Sequence, residues 1–143
     1  QFLLSFEKLE AVRYMPYLGR GGVALGNDQR ITPTIEALKS APYPADVEQL
    51  LRLRAERIVV VPGLAVAEQL GNPRLANSVL LGALSTYLEL PVHHWRAALS
   101  ELVPPKTIEL NQRAFDEGQA FVRDQGGPED AAAASDDAAA PPA

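Results

Sequence analysis

Apolar residues fall into short unbroken runs in the first half of the chain and into helical spacing in the second. Phe2 to Phe6, Val23 to Gly26 and Ile58 to Val61 are largely uncharged runs, the pattern of strands buried on both faces of a parallel sheet. Between the first two, Leu9, Val12 and Tyr14 to Tyr17 supply the buried side of a helix. Glu7 and Glu10 sit in its first turn, where unpaired N–H groups favour acids. Pro16 and Gly19 to Gly22 stop it. Asn27, Asp28 and Gln29 make a polar exit from the second strand. Ile31 to Pro44 has three prolines and no clear period; Ile31, Thr32 and Ile35 extend along the sheet before a loop through Pro42-Tyr43-Pro44. Asp46 then caps a helix through Arg54, and Pro62-Gly63 ends the third strand.

The second half is organised around Gly71 to Leu88. Asn72 stands at the N-cap and Pro73 at the first helical position, where its missing N–H costs nothing. Val79, Leu80, Leu81, Ala83, Leu84 and Leu88 then point in every direction, so the helix is expected to be buried all round. Leu64 to Leu70 forms a short helix before it. After it, Pro91 opens a helix with Val92, Trp95, Leu99 and Leu102 in one apolar stripe, and Pro104-Pro105 breaks it. A last helix from Lys106 to Arg123 turns Ile108, Ala114, Phe115, Gly118 and Val122 to one side, with Glu109, Arg113, Asp116 and Arg123 on the other.

Strand and helix alternating, then helices alone, predict an α/β fold: a three-layer, Rossmann-like parallel sheet followed by a helical C-terminal half. Three strands are few for a sheet covered on both faces, so the expectation is a domain, residues 1–123, whose N-terminal strand or strands lie outside this sequence. Residues 124–143, alanine-rich with four acids after Gly126-Gly127-Pro128, have nothing to bury and are expected to be a disordered tail.

Composition narrows the chemistry. A net charge of -5 argues against a nucleic-acid surface. With no cysteine there is no thiolate to act as nucleophile or to hold an iron–sulfur cluster. The reading is an intracellular, cytoplasmic protein with no transmembrane span, since Arg74, Asn77 and Gly82 interrupt the one long apolar helix.

Few residues invite a site. The glycines of Leu18 to Val23 follow a helix and precede a strand, the reverse of the order a phosphate cradle needs. His93 and His94 are adjacent, about 100° apart on a helix, and do not chelate one metal. Glu7 and Glu10 lie just past a strand's carboxyl end, where open α/β sheets bind ligands, and are equally ordinary first-turn acids. Asn77, read as buried, is expected to tie the central helix to a neighbouring backbone, and Arg74 to pair with Glu7, Glu10 or a subunit. Gly82 is read as a close-approach point, where leucine costs roughly 1–3 kcal/mol. No nucleophile–base pair, dinucleotide fingerprint or thiamine motif is present, so no catalytic or metal-binding residue is assigned.

Three runs carry a resemblance: FEKLEAVRYMPYLGRGGVALGN, GNPRLANSVLLGALSTYLELP and LVPPKTIELNQRAFDEGQAF. In order and spacing they resemble the gamma-type domain of 2-oxoacid:ferredoxin oxidoreductases, with indolepyruvate-type beta subunits the nearest members. The match runs from Phe2 to Val122. The resemblance implies a subunit of a complex that decarboxylates an aryl 2-oxoacid with thiamine diphosphate, Mg and coenzyme A and passes electrons through iron–sulfur clusters to ferredoxin. Those cofactors belong to partner subunits or domains, so this chain binds none. The family pattern falls on Glu7, Glu10, Gly71, Asn72, Arg74, Asn77, Gly82, Lys106, Glu109, Asn111 and Phe115, as motif or interface candidates without catalytic roles. Family members open with a glycine-rich strand–turn–helix, which is not found in residues 1–143. The alternative is a stand-alone α/β binding or scaffold module.

Overall fold

A computed structural model describes residues 1–29, 49, 52, 53 and 55–127. The expected extension at Ile31 to Ile35, nearly all of the Asp46 to Arg54 helix and the tail from Pro128 onward lie outside the described residues.

Three parallel strands, β1 (Phe2–Ser5), β2 (Val23–Asn27) and β3 (Arg57–Val61), stand in the order β1-β2-β3. Leu3, Ala24 and Ile58 are in register on one face, and Leu4, Leu25 and Val59 on the other. Small residues dominate the first face. There Ala24 and Ala55 pack with Ala11 and Met15 of α1 (Lys8–Tyr14) and the 3-10 turn Met15–Tyr17 that continues it. The second face is larger: Leu25, Val59 and Val61 pack under α2 (Gly63–Gln69), α3 (Ala76–Ser85) and α5 (Ile108–Asp124). α4 (Val92–Leu102) lies outside them, against α5. A parallel sheet between helical layers is the fold class the alternating pattern predicts.

Several boundaries differ from the sequence reading. Tyr14 and Tyr17 are exposed, because the face turned to the sheet is set by Ala11 and Met15, four apart. β1 is less buried than its composition suggests: it lies at the edge of the sheet, with Phe2 43% exposed, and Phe6 falls beyond its end. The central helix is divided. Asn72 caps a 3-10 turn, Pro73–Leu75, by accepting from the Arg74 N–H at 3.1 Å, and α3 begins only at Ala76. It ends at Ser85 rather than Leu88. There the Ser85 and Thr86 hydroxyls fold back onto the Gly82 and Ala83 carbonyls at 2.7 and 2.8 Å, adding side-chain donors to the last turn. On α4 the apolar stripe shrinks to Leu99 and part of Trp95; Leu102 is 84% exposed, because one side only of this helix meets α5. No described helix is long and apolar enough to cross a membrane.

Candidate functional site

The carboxyl ends of the strands gather most of the residues singled out in the sequence. β1 ends at Ser5, whose hydroxyl bonds the Glu7 carbonyl and accepts from the Glu7 N–H, turning the chain into α1. Glu7 is buried, and its carboxylate accepts from the Glu10 N–H at 3.2 Å, closing the first turn of α1 as a cap. Glu10 reaches the other way, to Arg13 at 3.0 Å. The two acids are therefore engaged in shaping α1. Lys8 ties that helix to the end of β2 through Asp28 at 2.5 Å.

Asn27, read in the sequence only as part of a polar exit, closes β2 and is 2% exposed. Its amide donates to the Phe6 carbonyl at 3.3 Å and to Gln29 Oε1 at 3.0 Å, fixing the β1–α1 turn to the β2 exit. Its Oδ1 has no hydrogen-bond partner among the described residues and faces Gly63, where a Cβ would stand 2.9 Å from it. The signal available in the sequence is an amide ending an otherwise apolar run.

α3 starts at the same edge: a Cβ on Gly63 would stand 3.4 Å from the Ala76 carbonyl oxygen. α5 starts beside it. Ser78 of α3 donates to Asn111 Oδ1 at 2.6 Å, and the Asn111 amide returns to the Thr107 carbonyl at 2.8 Å. One helix length further on, Gln119 donates to Ser85 at 2.9 Å. The pairings 78–111 and 85–119 advance together along both helices, with offsets of 33 and 34, so the two helices run in the same direction. Between them Gly82 meets the Phe115 backbone and Gly118 the Val79 backbone, each too close for a Cβ. The close approach expected at Gly82 is present, and it is two-sided.

This packing brings the second and third of the runs that carry the resemblance together. The Ser78–Asn111 bond and the contacts of the Pro73–Leu75 turn with α5 bring the run holding Asn72, Arg74 and Asn77 toward the run holding Asn111 and, on the 3-10 turn Pro105–Thr107 before it, Lys106. Asn77 is exposed, not buried, because Ser78, Val79 and Leu80 take the inward positions; the buried amide of the junction is Asn111. Arg74 and Lys106 are exposed, and neither makes an ion pair among the described residues; Glu7 and Glu10 are used elsewhere. His93 and His94 lie exposed on the first turn of α4, their rings 4.1 Å apart.

At the opposite edge Tyr87 packs on Phe2 and under the Arg57 guanidinium, 5.8 Å from its ring, while Arg57 donates to the Gly127 carbonyl at 2.5 Å. Burial pushes the Tyr87 hydroxyl above its ordinary pKa, with the Arg57 charge opposing, and the hydroxyl has no partner among the described residues.

The donor set does not fit an iron–sulfur cluster, since the chain has no cysteine. Among the described residues no three acids or histidines converge as metal ligands. Among the described residues, Arg74 and Lys106 are exposed cations without an ion pair at the start of the α3–α5 pair.

Comparison with known proteins places the chain. The family described as pyruvate ferredoxin/flavodoxin oxidoreductase matches residues 1–121. Over 122 residues the chain is 34% identical to indolepyruvate oxidoreductase subunit IorB of Pyrococcus horikoshii, the match covering 81% of this chain and 60% of that protein. The same figures hold for subunit IorB of Thermococcus kodakarensis. The chain thus spans about three-fifths of the length of these relatives. In three dimensions it resembles the crystal structure of a keto/oxoacid ferredoxin oxidoreductase gamma subunit from Geobacter sulfurreducens, with a TM-score of 0.59 and 22% identity, over 82% of this chain and 60% of that one. The three sequence runs and the parallel sheet agree with these matches: the chain belongs to the pyruvate ferredoxin/flavodoxin oxidoreductase family.

Proposed function

We propose that this chain is a non-catalytic domain of a cytoplasmic 2-oxoacid:ferredoxin oxidoreductase, with indolepyruvate the expected substrate. The complex converts a 2-oxoacid and coenzyme A to an acyl-CoA and CO2 and passes the electrons to ferredoxin. Thiamine diphosphate, Mg and the iron–sulfur clusters sit on partner subunits or domains, and the gamma-type domain, residues 1–123, docks there through the carboxyl edge of its sheet. The observation that carries the reading is the family match over residues 1–121 in a chain without a single cysteine. Such a chain supplies no cluster ligand, so electron transfer in the complex runs elsewhere.

The test is anaerobic copurification from the native host through a tag on this chain. Larger, iron-containing partners and 2-oxoacid-dependent reduction of ferredoxin in the eluate are the expected result, with the isolated chain inactive. Recovery of this protein alone, without iron, under the same conditions would replace the reading with that of a stand-alone scaffold module.

A further inference from the structure

A cleft of about 630 Å³ opens where α3 and α5 end and α4 begins, away from the carboxyl edge of the sheet. Its size falls within the roughly 300–1,000 Å³ of small-molecule sites. Gln119 of α5 lines it and is only 6% exposed. The Ser85 hydroxyl gives its proton to the Gly82 carbonyl, so it meets Gln119 as an acceptor, and the Gln119 amide must turn Nε2 toward it, at 2.9 Å. That holds Oε1 on the other side, where it has no hydrogen-bond partner among the described residues. A carbonyl oxygen fixed in this way needs a donor from whatever enters the cleft. Arg123, one helical turn on from Gln119 and so on the same face, lines the cleft as an exposed cation without an ion pair among the described residues. α4 opens at Val92 with no side-chain cap, which leaves its first N–H groups open there as well. Leu88, Leu90 and Pro91 make an apolar wall, with Leu90 45% exposed.

These features sort by charge. The C-terminal ends of α3 and α5, which run in the same direction, favour a cation beside Gln119 Oε1, whereas Arg123 and the start of α4 favour an anion. We propose that the cleft binds a free α-amino acid with an apolar side chain: its ammonium donates to Gln119 Oε1, its carboxylate pairs with Arg123, and its side chain lies against Leu88, Leu90 and Pro91. A purely apolar ligand would leave both Oε1 and the guanidinium unanswered, and a plain carboxylate would still leave Oε1 without a donor. The site lies apart from the carboxyl edge and does not depend on the subunit reading.

Calorimetric titration of the full chain with L-phenylalanine tests it, beside 3-phenylpropionate, which lacks the ammonium, and phenethylamine, which lacks the carboxylate. L-phenylalanine is expected to saturate a single site below about 1 mM, with each truncated probe weaker by about 10-fold or more. Arg123→Gln, at an exposed position, should weaken L-phenylalanine by about 10-fold and leave phenethylamine unchanged, because only the amino acid has a carboxylate to lose its partner. The side-chain amide resonance of Gln119 should shift on saturation. No saturation below about 1 mM overturns the proposal, and so does 3-phenylpropionate binding as tightly as L-phenylalanine, which makes the cleft an apolar groove only. L-phenylalanine binding that Arg123→Gln leaves at full strength, or that shifts resonances elsewhere and not that of Gln119, overturns it too.

Discussion

Gly82 of α3 lies against the main chain of Phe115 in α5, so close that a Cβ on Gly82 would stand 1.9 Å from the Phe115 carbonyl oxygen. Gly118 returns the contact at the same 1.9 Å from the Val79 carbonyl. Backbone cannot turn aside as a side chain does, so the helix pair must part to admit a methyl group. Gly82→Ala and Gly118→Ala are each expected to cost about 3 kcal/mol or more, at the upper end of overpacking. The double variant should cost less than the sum, since helices already forced apart admit the second methyl readily. Gly26→Ala, with nothing within 4 Å of its Cβ, is the control and should stay within about 1 kcal/mol. Urea unfolding measures all four.

Asn111 and Asn77 are expected to behave oppositely. Asn111→Ala opens a gap and leaves the Ser78 hydroxyl without its acceptor, a loss of about 2–3 kcal/mol. Asn77→Ala, on the exposed face, should change stability by about 0.5 kcal/mol at most. Thermal melts of the two variants side by side decide the point.

Stability should fall at alkaline pH through Tyr87. Its folded pKa lies above the unfolded value of 10.0, so ionisation is harder in the fold than in the open chain. The contribution is whole below that value and is lost as pH rises from it through the folded pKa. Tyr87→Phe removes this part of the decline and, by deleting a buried hydroxyl without a partner, should leave neutral-pH stability unchanged or slightly higher. Denaturant titrations from pH 8 to about 12, with absorbance of tyrosinate followed in parallel, separate this group from the other tyrosines.

Charge reversal at Arg74 and Lys106 tests the carboxyl edge as a contact surface. Both side chains are exposed, so the R74E/K106E protein should melt within about 0.5 kcal/mol of the parent. Recovery of partner subunits on the tagged chain should fall by about 10-fold at low salt, with the difference narrowing as salt is raised. Unchanged recovery would place the contact elsewhere on the domain.

The sequence made the sheet and the helices of the second half legible because their signals are local. Ile58 to Val61 could only be a strand, and the Gly82 contact was readable because a glycine in a buried helix has few other reasons to be there. The asparagines were not readable in this way. Whether Asn77 or Ser78 turns inward depends on a 3-10 turn that shifts the phase of α3, and nothing local to Asn111 says that it will meet Ser78, 33 residues away. Asn27 was missed for the same reason: at a strand's end an amide reads as an exit to solvent, and only the return of Gly63 over it makes it buried. The candidate site was legible as a set of residues but not as a place, since only the packing of α3 on α5 joins Arg74 and Asn77 to Lys106 and Asn111.

The common direction of α3 and α5 has an electrostatic result. Antiparallel helices cancel one another's peptide dipoles, but these two add, each presenting roughly half a positive charge at its N-terminal end. Arg74 and Lys106 stand at that end. The summed dipole ends of the two helices and these two side chains make the start of the pair a locally electropositive part of the carboxyl edge. An acidic surface on a partner would approach such a domain in one orientation before any contact formed.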